Sequence, residues 1–144
     1  MSWHLTKYVK DLRFKHPTAL LIAGTTGSGK SEFVKKLIEN KGIKGKITKI
    51  YFFLARLEPL LIDTDETTKI FLEQGLPTQE WVTNTFKPGV DNQTLLIIDD
   101  QWTEAVKSAA VENLSCFGRR HYGVSLIYIT QNFFTRSPRS IIIR

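Results

Sequence analysis

The octapeptide GTTGSGKS, residues 24–31, limits how this chain can fold more than any other stretch. It fits G-x-x-x-x-G-K-[ST] at every fixed position, directly after the apolar run ALLIA and at the start of the helically spaced SEFVKKLIEN. Such a loop belongs between a buried strand and a helix. Gly24, Gly27 and Gly29 let the backbone aim successive N–H groups at one anion, and the helix adds the positive end of its dipole. Thr25, Thr26 and Ser28 are small enough to keep the loop tight. The motif therefore predicts a site for nucleotide phosphates. Lys30 would reach the β- and γ-phosphates of ATP, and the Ser31 hydroxyl would bind Mg²⁺.

The rest of the chain supplies a matching pattern of strands and helices. WHLTKYVKDLRF reads as a short amphipathic helix with Leu5, Tyr8, Val9 and Leu12 on one face, making residues 1–17 an N-terminal segment and residues 18–144 the core. The helix after the loop should turn Phe33, Val34, Leu37 and Ile38 inward and stop near residues 40–42. KITKIYFF, TLLIID and VSLIYIT read as strands, and the unbroken apolar run of TLLIID suits a parallel strand covered on both faces. TTKIFLEQG reads as a short helix stopped by Gly75, and Thr103 as the cap of a helix running to about Phe117. This alternation describes an α/β fold with a mainly parallel sheet.

Two further stretches carry chemistry. LLIIDD ends a buried strand in Asp99 and Asp100, and the carboxyl edge of an open α/β sheet is where ligands bind. Asp99 would share the Mg²⁺ with Ser31, and Asp100 would orient or deprotonate an attacking water. In RRHYGVSLIYITQN the apolar strand ends in Gln131 and Asn132. If that strand lies between the loop strand and the Asp99 strand, Gln131 faces the γ-phosphate. Arg119, Arg120 and His121 precede the same strand, at the opposite end from the phosphates. From there the arginines could serve a neighbouring subunit's nucleotide or a nucleic-acid backbone, and an arginine supplied in trans accelerates phosphoryl transfer by about 10³–10⁵.

Composition narrows the class further. At 144 residues the chain is about one domain, and 42% apolar and 11% aromatic content fit a folded core. Its lone cysteine, Cys116, excludes an internal disulfide. The longest apolar runs are too short to cross a bilayer, and no membrane partner is expected. The net charge of +6 favours a polyanionic partner, nucleic acid first, with Lys35, Lys36, Lys41, Lys44, Lys46 and Lys49 crowded into one segment.

Taken together, AGTTGSGKSEFVKKLI, LLIIDD and, above all, RRHYGVSLIYITQNFF resemble the viral genome-packaging ATPases of the FtsK–HerA superfamily. The resemblance is nearest to the poxvirus-type branch found in polintons, adintoviruses and virophages, and runs from about Ala19 to the C-terminus. It implies a three-layer P-loop NTPase of the additional-strand type, with strand order 5-1-4-3-2. It also implies a homo-oligomeric ring that drives double-stranded DNA into a capsid at a portal-type vertex, and hence a place in the virion or at the host-cell site of virus assembly. Position by position, Lys30 and Ser31 match the Walker A pair, Asp99 the Walker B magnesium ligand, Asp100 the catalytic acid and Gln131 the sensor. Many relatives in the wider superfamily carry glutamate at the place of Asp100, while the poxvirus-type branch uses two aspartates. The sequence ends where that family would continue into a fifth strand beside the loop strand, so the expected core lacks its last strand. Other functions compatible with the residues are a non-hydrolysing nucleotide- or DNA-binding assembly module, a helicase-type motor, and a P-loop small-molecule kinase. The kinase fits least, because LIDTDETTKIFLEQ is acidic where a phosphate-closing lid should be basic.

Overall fold

The computed structural model describes residues 13–25, 29–105 and 107–131. The predicted N-terminal helix, residues 3–14, lies outside them up to residue 12, and its last residue, Phe14, belongs to a short strand, β1 (Phe14–Lys15). Next come β2 (Ala19–Ala23), α1 (Lys30–Glu39), a two-residue β3 (Ile43–Lys44) that pairs with β1, and β4 (Lys49–Leu54). Beyond these follow β5 (Lys69–Gln74), α2 (Gln79–Thr85), β6 (Thr94–Asp99), α3 (Trp102–Ala105) and α4 (Ala109–Phe117). A π-helical turn, Gly118–Tyr122, leads into β7 (Val124–Thr130). The main sheet has the order β2-β7-β6-β4-β5, and every neighbouring pair is parallel.

Parallel strands buried on both faces need apolar side chains at every position, not at alternate ones. β6 and β7 come close to that demand: Thr94 to Ile98 of β6 and all of β7 are buried, and the polar residues among them, Thr94, Ser125 and Thr130, lie at or near the strand ends. Their side chains divide between two layers. Leu96, Ile98, Leu126 and Tyr128 pack with Tyr51, Phe53, Val82 of α2 and Val111 and Leu114 of α4. Leu95, Ile97, Ile127 and Ile129 pack with Ile50, Phe52 and Val34 of α1. Helices thus cover both sides of the sheet. On the α2 side, Trp81 stands edge-on to Tyr51, Phe53 and Phe86, with ring centroids 4.9–5.4 Å apart. The Tyr128 hydroxyl, hydrogen-bonded to Ser115, ties β7 to α4, and burial pushes that phenol up to about 12.

Three sequence expectations are corrected. Residues 69–74 form a strand rather than a helix: all six pair in register with β4, and Phe71 stacks on Tyr51, directly opposite, at 5.0 Å. An apolar run this short fits either element, and the open edge of β4 decides in favour of the strand. Phe33 is 46% exposed, because α1 meets the sheet through Val34, Leu37 and Ile38. The expected helix from Thr103 to Phe117 is two helices. Thr103 lies within the first, and Ser108 caps the second by accepting the Val111 N–H at 3.2 Å. Among the described residues, no helix is long and apolar enough to cross a membrane.

Candidate active site

The register of the sheet brings the chemistry together. Leu54 of β4, Asp99 of β6 and Ile129 of β7 lie on one rung, and Ala23 of β2 is level with Thr130. The residues that follow each strand therefore emerge side by side at the carboxyl edge. Gly24 follows β2 and donates its N–H to the Thr130 carbonyl at 3.1 Å. Asp100 follows β6 and donates its N–H to the Ile129 carbonyl at 2.8 Å. Gln131 follows β7. β7 lies between β2 and β6, as the Gln131 expectation required, and one cleft of about 680 Å³ opens at this edge. Lys30, Ser31, Asp99, Asp100 and Gln131 line it.

At the base of α1, Gly29 adopts φ 88°, a left-handed conformation that glycine takes without steric cost. The Lys30 ammonium folds back over the loop and donates to the Gly24 carbonyl at 2.5 Å and the Thr25 carbonyl at 3.0 Å. Thr26, Gly27 and Ser28 lie outside the described residues.

The two aspartates differ in setting. Asp99 is half-buried, and its carboxyl is pushed above the usual range by burial first, then by the charges of Asp100 and Glu58, with Lys30 pulling the other way. Such a carboxylate gains from any cation that joins it. Together with the Ser31 hydroxyl in the same cleft, it fits a hard divalent ion such as Mg²⁺. Asp100 is exposed and holds φ 54°, a left-handed conformation that aspartate and asparagine tolerate better than other side chains. The turn is secured from its far side: Gln101 donates from Nε2 to the Phe53 carbonyl at 3.0 Å and the Gly75 carbonyl at 2.8 Å.

Arg119 and Arg120 stand apart from this cleft. They belong to the π-helical turn at the amino end of β7, the opposite edge of the sheet. That turn is fastened by Asn92, whose side-chain amide and backbone N–H both donate to the Tyr122 carbonyl, at 2.7 and 2.9 Å. Asn132 and the residues after it lie outside the described residues.

Sequence reasoning missed two groups. Arg56 and Glu58, just past β4, line the cleft, yet no local motif marks them. At the amino edge, His16 bridges the Ser125 hydroxyl through Nδ1 at 2.5 Å and the Asp91 carboxylate through Nε2 at 3.1 Å. This Ser–His–Asp chain is not a hydrolytic triad. Ser125 is fully buried and already accepts the Thr18 N–H at 3.0 Å, so no substrate could reach its oxygen. It is a buried polar tie whose members are all satisfied. No protein-family model matches the chain, and a search of curated proteins gives no match to it either.

Proposed function

We propose that this protein is a Mg²⁺-dependent ATPase of the additional-strand P-loop type, working as a ring-forming motor that moves double-stranded viral DNA into a capsid. The observation that carries the ATPase proposal is the convergence of Lys30, Ser31, Asp99, Asp100 and Gln131, delivered from three strand ends, on one cleft at the carboxyl edge of a parallel sheet. The observed order β2-β7-β6-β4 corresponds to the 1-4-3-2 portion of the order implied by the resemblance, with β5 added beyond β4. The DNA, ring and capsid-vertex assignments, and the virion or site of virus assembly as its location, rest on that resemblance together with the net charge of +6.

In this mechanism the loop and the start of α1 bind the triphosphate, and Lys30 exchanges its loop carbonyls for β- and γ-phosphate oxygens. Ser31 and Asp99 would hold Mg²⁺, which when bound would neutralise phosphate charge. Asp100 takes a proton from a water whose oxygen forms a bond to the γ-phosphorus as the bond to the β–γ bridging oxygen breaks. ADP and inorganic phosphate leave. Gln131 accepts a hydrogen bond from that water and donates to a γ-oxygen, so it distinguishes the triphosphate from the diphosphate. Phosphate release by the full chain, measured with and without duplex DNA, tests both parts. Turnover should rise with DNA and fall by about 10²–10⁴ in Asp100→Asn, the scale of a lost general base. Equal turnover with and without DNA would remove the motor; undiminished turnover in Asp100→Asn would remove Asp100 as the base.

A further inference from the structure

The charge balance of the cleft is lopsided. Its carboxylates are Glu32, Glu58, Asp99 and Asp100, and its cations are Lys30 and Arg56. Lys30 is committed to the phosphate loop, where its ammonium already sits against Gly24 and Thr25. Arg56 enters from the other side. It lies two residues beyond Leu54, the β4 residue level with Asp99, so its backbone emerges beside the Asp99–Asp100 turn. The His16–Asp91 and Lys41–Asp65 ion pairs do not involve it. Neither does its position follow from the phosphate-loop motif or from the basic element at residues 119–121.

We propose that Arg56 is a same-chain contact to the terminal phosphate, approaching it from the β4 side while Lys30 approaches from the loop. This rests on the ATPase assignment above and adds to it a residue that nothing in the motifs identifies. The physical reason is electrostatic. Charge developing on the transferred phosphoryl group would face three carboxylates, Glu58, Asp99 and Asp100, and a guanidinium in that rank offsets the repulsion. A planar fork of N–H donors also suits phosphate oxygens better than a point charge does. Arginines in this role, supplied in cis or in trans, are worth about 10³–10⁵ in turnover at the upper end. Because the contact is to the γ-phosphate alone, Arg56 should discriminate ATP from ADP.

The test compares wild type, Arg56→Ala and Arg56→Lys as full chains. Three readouts are needed: thermal melting, affinity for a non-cleavable ATP analogue and for ADP with Mg²⁺, and phosphate release. Arg56→Ala should melt within a few degrees of wild type and keep its ADP affinity within about twofold. Its analogue affinity or its turnover should fall at least tenfold, with Arg56→Lys intermediate. An equal loss for ADP and for the analogue would overturn the γ-phosphate assignment, and so would an analogue affinity and a turnover that both stay unchanged. Either result leaves the ATPase reading standing as long as wild type turns over. A wild-type chain that binds no nucleotide would overturn the ATPase reading, and this inference with it.

Discussion

At the scale of single residues, the site sets function against stability, and Asp99 shows the conflict most clearly. Its carboxyl is raised by burial and by neighbouring acids, so the folded protein holds that proton more tightly than the unfolded chain does. The stability contributed by the protonated form is therefore present below the ordinary carboxylate pKa of about 3.9 and is lost as pH rises through the folded value. Asparagine mimics the protonated group. Asp99→Asn should abolish turnover yet melt above wild type at neutral pH, with the gap closing as the pH is lowered toward the carboxylate range. Thermal melts at a series of pH values would check this, and a variant less stable than wild type at neutral pH would contradict it. Lys30, Ser31 and Asp99 were legible in the sequence because their chemistry is local: a loop motif, and a strand that ends in acid. Arg56 and Glu58 were not, since their place depends on β4 lying beside β6, a matter of register that no short pattern encodes. Gln101 escaped for a similar reason, as its partners lie on β4 and just past β5.

At the scale of elements, short segments are held by ties between distant parts of the chain. His16 links the segment before β2 to the loop before β6 and to the start of β7. His16→Ala leaves the buried Ser125 hydroxyl without its imidazole partner, which should cost about 1–3 kcal/mol. Urea unfolding would show this as a lower midpoint at unchanged slope, with nucleotide affinity retained, because the tie lies at the edge opposite the cleft. An unchanged midpoint would mean that the tie contributes nothing. The long apolar strands were legible because burial on both faces leaves an unmistakable run. Residues 69–74 were misjudged because six residues with one apolar triplet satisfy a helix or a strand equally, and the tertiary partner decides. The break between α3 and α4 was hidden for a related reason. Ser108 caps a new helix within a stretch whose composition is helical throughout.

At the scale of the whole molecule, one consequence of the strand order matters most. A parallel sheet with β7 between β2 and β6 sends the phosphate loop, the paired aspartates and Gln131 to the same edge, and sends Arg119 and Arg120 to the other. The candidate cleft and the basic turn are thereby separated by the length of the central strands, with β7 joining them directly. The α/β class and the parallel sheet could be anticipated from the alternation of elements. The addition of β5 at the far edge could not, because pairing with β4 is settled only when the sheet assembles. The central claim is that Lys30, Ser31 and Asp99 converge on a magnesium-bound triphosphate. It is tested most directly by calorimetric titration of a non-cleavable ATP analogue into wild type and Lys30→Ala, each with Mg²⁺ and with EDTA. The account predicts saturable wild-type binding that weakens at least tenfold, about 1.4 kcal/mol, on removing either the ammonium or the metal. Binding that is absent in wild type, or equally tight under all four conditions, would contradict it.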